Sequence, residues 1–200
     1  MSSAWVVGNS AGAIIALEMA MKKPELVAGL ILIEPTIPYD FASKKSMSDW
    51  NSELNVYVEN GTIRKALPAF ARVIEGEKET VLANRNILNN QQKKMNMHDM
   101  KKTYYNLENF MYGELNEVQR YNPPFDVLKR MQIPLKIFVT SFSENSLFRR
   151  ISEKCAENMG WDVVEIYGNH NALKDNPSSS SEIIKQSIIG MKNGNEKLEI

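Results

Sequence analysis

The feature that most constrains this chain is the order of patterns in its first 33 residues: apolar run, tight polar turn, apolar helix, apolar run. Trp5-Val6-Val7 is short enough to be a buried strand, and it leads through Gly8-Asn9-Ser10-Ala11-Gly12 straight into Ala13-Ile14-Ile15-Ala16-Leu17-Glu18-Met19-Ala20. Residues 13 to 21 are apolar on nearly every side except at Glu18, which suits a helix packed deep against a sheet, and Pro24 closes it. Val27-Ala28-Gly29-Leu30-Ile31-Leu32-Ile33 then reads as a parallel strand buried on both faces, ended by Glu34-Pro35. A strand, helix and strand so close together imply a right-handed crossover and an α/β sheet.

The turn between the first strand and helix has the form G-x-S-x-G. Where that pattern joins a strand to a helix, the serine sits in a strained backbone conformation with its hydroxyl projecting from the sheet edge. Gly8 and Gly12 are expected to leave room for the close helix crossing. The bare pattern is weak evidence, and an ordinary Gly/Ser turn is its competing reading. The strand before it and the alanine-rich helix after it are the context the motif demands, so Ser10 is a candidate nucleophile.

From Thr36 to about Asn122 the texture becomes helical and polar. Trp50, Leu54, Tyr57 and Val58 keep helical spacing, as do Ile63, Leu67, Phe70 and Ile74, and later Tyr104, Leu107, Met111, Leu115 and Val118. Pro68 should kink or restart the second of these helices. Met95, Met97, Met100 and Met111 fit core filling within a helical unit better than the lining of a substrate cavity, although thioethers adapt to either. Pro123-Pro124 marks the return to the main fold, followed by a short helix at Asp126–Met131 and a buried strand at Ile133–Val139. Phe148, Ile151, Cys155 and Met159 form one helical stripe that Gly160 terminates, which makes Cys155 a core residue rather than a reactive thiol. Trp161–Tyr167 alternates as a last strand and delivers Gly168-Asn169-His170-Asn171. Ser179 with Glu182 has the form of a capping box for a closing helix. The expected organisation is therefore residues 1–35 and 123–192 as core, 36–122 as a helical insertion and 193–200 as a tail.

A serine hydroxyl needs a base within hydrogen-bond reach, and that base needs a third group to orient it. The chain has two histidines. His98 lies in the polar helical insertion and reads as a solvated residue, whereas His170 follows a strand, on the rim where α/β sheets place their sites. For the acid, Glu144 in the loop after the strand ending at Val139 is the first choice. Glu34, directly after the strand ending at Ile33, is the second, with Asp40 and Asp175 behind it. The Ala11 N–H, at the helix N-terminus, is the expected oxyanion donor.

These residues, taken together, resemble the α/β-hydrolase superfamily. The resemblance runs from Gly8-Asn9-Ser10-Ala11-Gly12 through Ile33-Glu34-Pro35, the helical segment, the strand at 135 to 139 and Gly168-Asn169-His170. The chain order of serine, acid and histidine agrees with it. Glu144-Asn145-Ser146 followed by Phe148 and Arg149-Arg150 resembles esterase-like bacterial members, with Asn145 where an acid is usual and Glu144 one place early. The resemblance implies the C-terminal part of an α/β-hydrolase fold, with a mainly parallel sheet of about four strands and residues 36–122 as a lid. It implies a serine hydrolase that cleaves an ester or related acyl bond through an acyl-enzyme. The family's sheet usually begins with several strands ahead of the elbow, and the loop after the third supplies a second oxyanion N–H. Here the elbow strand opens the chain, so a longer gene product, an edge covered by another copy or chain, or an inactive protein is expected.

Composition narrows the partners. Lys plus Arg and Asp plus Glu number 24 each, so no net field favours nucleic acid or an anionic membrane. A single cysteine forms no internal disulfide and fits a reducing, cytoplasmic setting. No apolar run approaches the roughly 18 residues of a membrane span. Two separated histidines and one cysteine give no metal-ligand cluster, and no cofactor is expected. The expected partner is a small acyl substrate. The competing reading is a hydrolase remnant that is catalytically weak and self-associates through its exposed sheet edge.

Overall fold

A computed structural model describes residues 2–61, 69–70, 102, 105–106 and 109–194. The element order is β1 (Ala4–Asn9), α1 (Ala11–Lys22), β2 (Val27–Ile33), α2 (Phe41–Glu59), a π-helical turn (Phe110–Glu114) continuing into α3 (Leu115–Arg120), and α4 (Phe125–Arg130). There follow β3 (Leu135–Thr140), a 3₁₀ turn (Ser141–Ser143), α5 (Leu147–Met159), β4 (Asp162–Ile166), α6 (Ala172–Asp175) and α7 (Pro177–Lys192). The strands form one parallel sheet in the order β1-β2-β3-β4. This is the α/β architecture expected from the sequence, and the β2 range is the one its apolar run predicts.

Alternation along the strands divides the core into two layers. Leu30 and Leu32 of β2 and Ile137 and Val139 of β3 meet Ala13, Ala16, Leu17 and Ala20 of α1 and Cys155, Ala156 and Met159 of α5. Ile31, Ile33, Phe138, Val164 and Ile166 face the other way, toward Ile183, Ile184, Ile188 and Met191 of α7. Because every strand is parallel, all the C-terminal ends open on one rim. A third cluster joins α2 to α5: Met47, Trp50 and Leu54 pack with Met111, Leu115, Phe148 and Ile151. Met111 is thus a core residue, as expected. Met95, Met97, Met100, His98 and the stretch around Pro68 lie outside the described residues.

Local chemistry explains the helix ends. The Ser146 side chain accepts the Arg149 N–H at 3.0 Å and starts α5, and Gly160 ends it in the left-handed conformation at φ 69°. Two expectations are corrected. The closing helix does not start with a capping box at Ser179: it begins at Pro177, whose fixed φ suits a first helical turn. Ser179 is already helical. Nor is α1 enclosed all round, since Ile15 is 70% exposed. The face with Ala13, Ile14, Ala16, Leu17 and Ala20 packs into the core.

Candidate active site

The elbow follows from a steric conflict at one glycine. A Cβ on Gly8 would lie 2.4 Å from the Gly12 carbonyl oxygen and 2.6 Å from the Ala13 Cα, so α1 crosses β1 against bare backbone. Gly12 carries no such demand, with nothing within 4 Å of its would-be Cβ. The expectation that both glycines make room is therefore corrected: Gly8 alone does so. Ser10 sits between them at φ 55°, ψ −122°, a conformation that non-glycine residues rarely hold. Its N–H donates to the Ile33 carbonyl at 2.9 Å, and its carbonyl accepts the Ala13 N–H at 2.9 Å. The Ala11 N–H, at the first position of α1, is one of the four helix donors without an intrahelical acceptor.

Glu34 terminates β2 in a second strained conformation, at φ 43°, with its N–H donating to the Phe138 carbonyl at 2.8 Å. Its side chain is completely buried. One oxygen, Oε2, lies 2.5 Å from His170 Nδ1. The other, Oε1, accepts the Thr140 N–H at 2.9 Å, the Thr140 hydroxyl at 2.6 Å and the Ser143 hydroxyl. Burial alone would raise the carboxyl pKa, but the hydrogen bond and charge of His170, joined by the Ser143 and Thr140 hydroxyls, hold it below its ordinary value. Glu34 is an anion in a dry, donor-lined niche.

His170 reaches this niche from the loop after β4. It is 5% exposed, and its ring meets the Phe148 ring edge-on at a centroid distance of 5.4 Å. Asn9, the residue before Ser10, donates from Nδ2 to the His170 carbonyl at 3.1 Å. The elbow and the histidine loop are thereby joined across 161 residues of sequence. The loop after β3 is tied to the same place: the Phe142 N–H donates to the Gly168 carbonyl at 2.8 Å, and the Gly168 N–H to the Ser141 hydroxyl at 3.1 Å. Ser10, Glu34 and His170 thus stand at the C-terminal ends of β1, β2 and β4, on one rim.

The remaining candidate acids lie elsewhere. Glu144, first choice from sequence, is exposed at the end of the Ser141–Ser143 turn and makes no hydrogen bond to His170; the carboxylate at the ring belongs to Glu34. Asp40 caps α2, accepting the Ser43 N–H at 2.7 Å, a bond that holds its carboxyl below the usual range. Asp175 closes α6, and its side chain is outside the described residues. Sequence reasoning passed over Thr140 and Ser143. Their signal was the hydroxyl-rich Thr140-Ser141-Phe142-Ser143 at the C-terminal end of a buried strand. Cys155 is fully buried, and burial pushes its thiol up to about 12, which fits a core residue.

Beside the elbow, a cleft of about 970 Å³ runs between α1 and the π-turn with α3. Ala11, Ile14, Ile15 and Val118 give it an apolar side, and Glu18, Glu114 and Glu117 an acidic one. Glu18 is already engaged, accepting the Tyr121 hydroxyl at 2.8 Å and pairing with Lys22 at 2.8 Å. Among the described residues, no group of three or more His, Cys, Asp or Glu side chains could hold a metal ion, and no helix is long and apolar enough to cross a membrane.

The parallel sheet, the strained serine at a strand-to-helix turn and the buried carboxylate at a histidine define the α/β-hydrolase fold, and comparison with solved structures agrees. An α/β hydrolase enzyme from a Medee basin deep-sea metagenome library superposes with a TM-score of 0.65 at 15% identity, covering 99% of this chain and 67% of its own. A thermophilic esterase from Thermogutta terrifontis gives 0.59 at 16% identity, covering 94% and 65%. MenH from S. aureus gives 0.57 at 15% identity, covering 98% and 70%. This chain therefore spans about two thirds of the length of the structures it matches. No protein-family model and no curated protein matches the sequence.

Proposed function

We propose that this chain carries the site of a serine hydrolase that cleaves an ester or related acyl bond, with Ser10 as nucleophile, His170 as base and Glu34 as the orienting acid. The observation that carries the reading is the 2.5 Å contact between His170 Nδ1 and a fully buried Glu34, on the rim where Ser10 stands strained. With Nδ1 committed to Glu34, the imidazole presents Nε2 toward the rim as acceptor for the Ser10 proton. The Ser10 oxygen attacks the acyl carbon, and the negative charge that develops on the acyl oxygen is met by the Ala11 N–H at the positive end of α1. His170 returns the proton to the leaving group, and water, activated by the same ring, releases the acyl group from Ser10. No hydrogen bond joins the Ser10 hydroxyl to the ring here. Such bonds are often loose without substrate and tighten in the complex.

In this reading residues 36–122 form a lid over residues 1–35 and 123–192, and the apolar side of the cleft beside Ala11 takes the acyl chain of a small substrate. The chemistry asks for no cofactor or metal, and a buried free Cys155 suits a cytoplasmic enzyme. A fluorophosphonate probe tests the assignment on the full chain. Labelling of the wild type and its loss in Ser10→Ala support it; absence of labelling in the folded wild type overturns it.

A second reading is supported by the edge of β1, which among the described residues pairs only with β2 and carries Val7 38% exposed. Here the chain keeps the hydrolase half-sheet without turnover and associates through that edge. It predicts a folded protein that the probe does not label.

A further inference from the structure

A carboxylate has two equivalent oxygens and about four lone-pair sites, so a buried one serves a histidine reliably only if something fixes the orientation of its plane toward the ring. At Glu34 the donors are distributed unevenly. Oε1 takes the Thr140 N–H, the Thr140 hydroxyl and the Ser143 hydroxyl, while Oε2 takes His170 alone. We propose that Thr140 and Ser143 are positioning residues, whose three donors hold one carboxylate oxygen of Glu34 and so fix the plane of the group with its other oxygen at Nδ1 of His170. The inference rests on the reading of Glu34 as the acid and adds the device that aims it.

Proton accounting supports this role. Each hydroxyl has one proton to give. The Ser143 oxygen also lies 2.7 Å from the Thr140 hydroxyl and 2.8 Å from the Thr140 carbonyl, so its proton has three acceptors in reach. A bond to a charged acceptor is stronger than one to a neutral acceptor, which favours Glu34. The Thr140 carbonyl is moreover already bonded by the Arg149 guanidinium at 2.9 Å. Both hydroxyl protons therefore go to Oε1.

The surrounding charges leave that orientation undisturbed. His170 faces Glu34 from the loop after β4, while Arg149 of α5 is paired with Glu153 and Glu165 at 2.8 Å each and reaches the niche only through the Thr140 carbonyl. Glu144, in the turn after β3, points to solvent. A half-turn of the Glu34 carboxylate exchanges two equivalent oxygens and changes nothing, whereas tilting its plane away from Nδ1 would stretch the three bonds to the other oxygen. Leaving buried donors unpaired is costly, so the tilt is opposed.

Proton NMR of the full chain tests the inference without requiring activity. A short bond between His170 Nδ1 and Glu34 should give a strongly downfield imidazole proton, absent in Glu34→Ala and retained in His98→Gln. In Ser143→Ala and Thr140→Val that resonance should move upfield and broaden, and on acidification it should vanish at a higher pH than in the wild type, because donors to the ionised carboxylate have been removed. Ser143→Thr, which keeps a hydroxyl, should restore it. On an activated ester, each donor-removing variant should lose about tenfold in kcat with KM within twofold, the scale of one hydrogen bond to a charged group. If Ser143→Ala does not fold, Thr140→Val reads the same oxygen. A wild type without the downfield proton, or folded donor-removing variants that leave its position and acid response unchanged, overturns the proposal. A normal NMR response with no fluorophosphonate labelling would uphold the positioning and sink the hydrolase reading.

Discussion

A carboxylate with none of its surface in water persists as an ion only where donors replace the lost hydration, and at Glu34 Thr140, Ser143 and His170 do so. The folded-state pKa lies below its ordinary value of 4.5, which fixes the sign of the pH dependence. The unfolded chain binds the proton first as pH falls, so Glu34 contributes stability above about pH 4.5, and that contribution is lost as pH drops through the lower folded value. Urea midpoints of the wild type should therefore fall on acidification below pH 4.5 more steeply than those of Glu34→Gln. Equal slopes would mean that the niche does not hold an anion. The two carboxylates also separate kinetically. Glu34→Gln should cost about 10⁴-fold in kcat by presenting His170 with the wrong partner, while the exposed Glu144→Gln should change it less than twofold. Sequence reasoning named both residues but put Glu144 first. What it lacked was the φ of 43° at Glu34, a conformation that has no signature in a non-glycine residue followed by proline.

Elements were legible where one pattern governed them. The unbroken apolar run of β2 needed only burial on both faces to be read, and both layers supply it. Helix α5 carried its stripe and its terminal glycine in sequence, while its Ser146 cap emerged only in the structure. The start of α7 was misread because Ser179 and Glu182 make a plausible box, yet Pro177 two positions earlier already fits a first turn. The elbow gives the sharper case, since its two glycines are equivalent in the motif and unequal in space. Gly8→Ala would push a methyl group into the α1 backbone and should destabilise the fold by about 3 kcal/mol or more, as overpacking against a rigid neighbour does. Gly12→Ala meets open space on a helical turn and should stabilise by up to about 1 kcal/mol. Chemical denaturation of the two variants checks this, and comparable losses in both would show that α1 also needs Gly12 bare.

For the whole molecule, the parallel sheet, its two helical layers and the shared rim for residues 10 and 170 could be anticipated from the chain, because each follows from strand and helix periodicity and from the handedness of the crossover. An exposed edge at the first strand is the expectation of the sequence as well, although periodicity says nothing about what packs against it. Among the described residues β1 pairs only with β2, and its other edge meets no strand. An edge of this kind, carrying Trp5 and Val7 and no charge between Ala4 and Asn9, is a template for pairing with another chain. Ile15 and Met19 of α1 are exposed as well. Concentration-dependent association is the expected outcome. Val7→Lys places an ammonium group on a position already 38% exposed, a device that natural edge strands use against pairing. Its core cost is limited because the side chain is not enclosed. In sedimentation velocity across a hundredfold range of concentration, the wild type should shift toward larger species while Val7→Lys stays monomeric with an unchanged far-ultraviolet circular dichroism spectrum. A wild type that remains monomeric throughout would show that the open edge is protected by its twist and its shortness alone, and would remove the physical basis for the association reading.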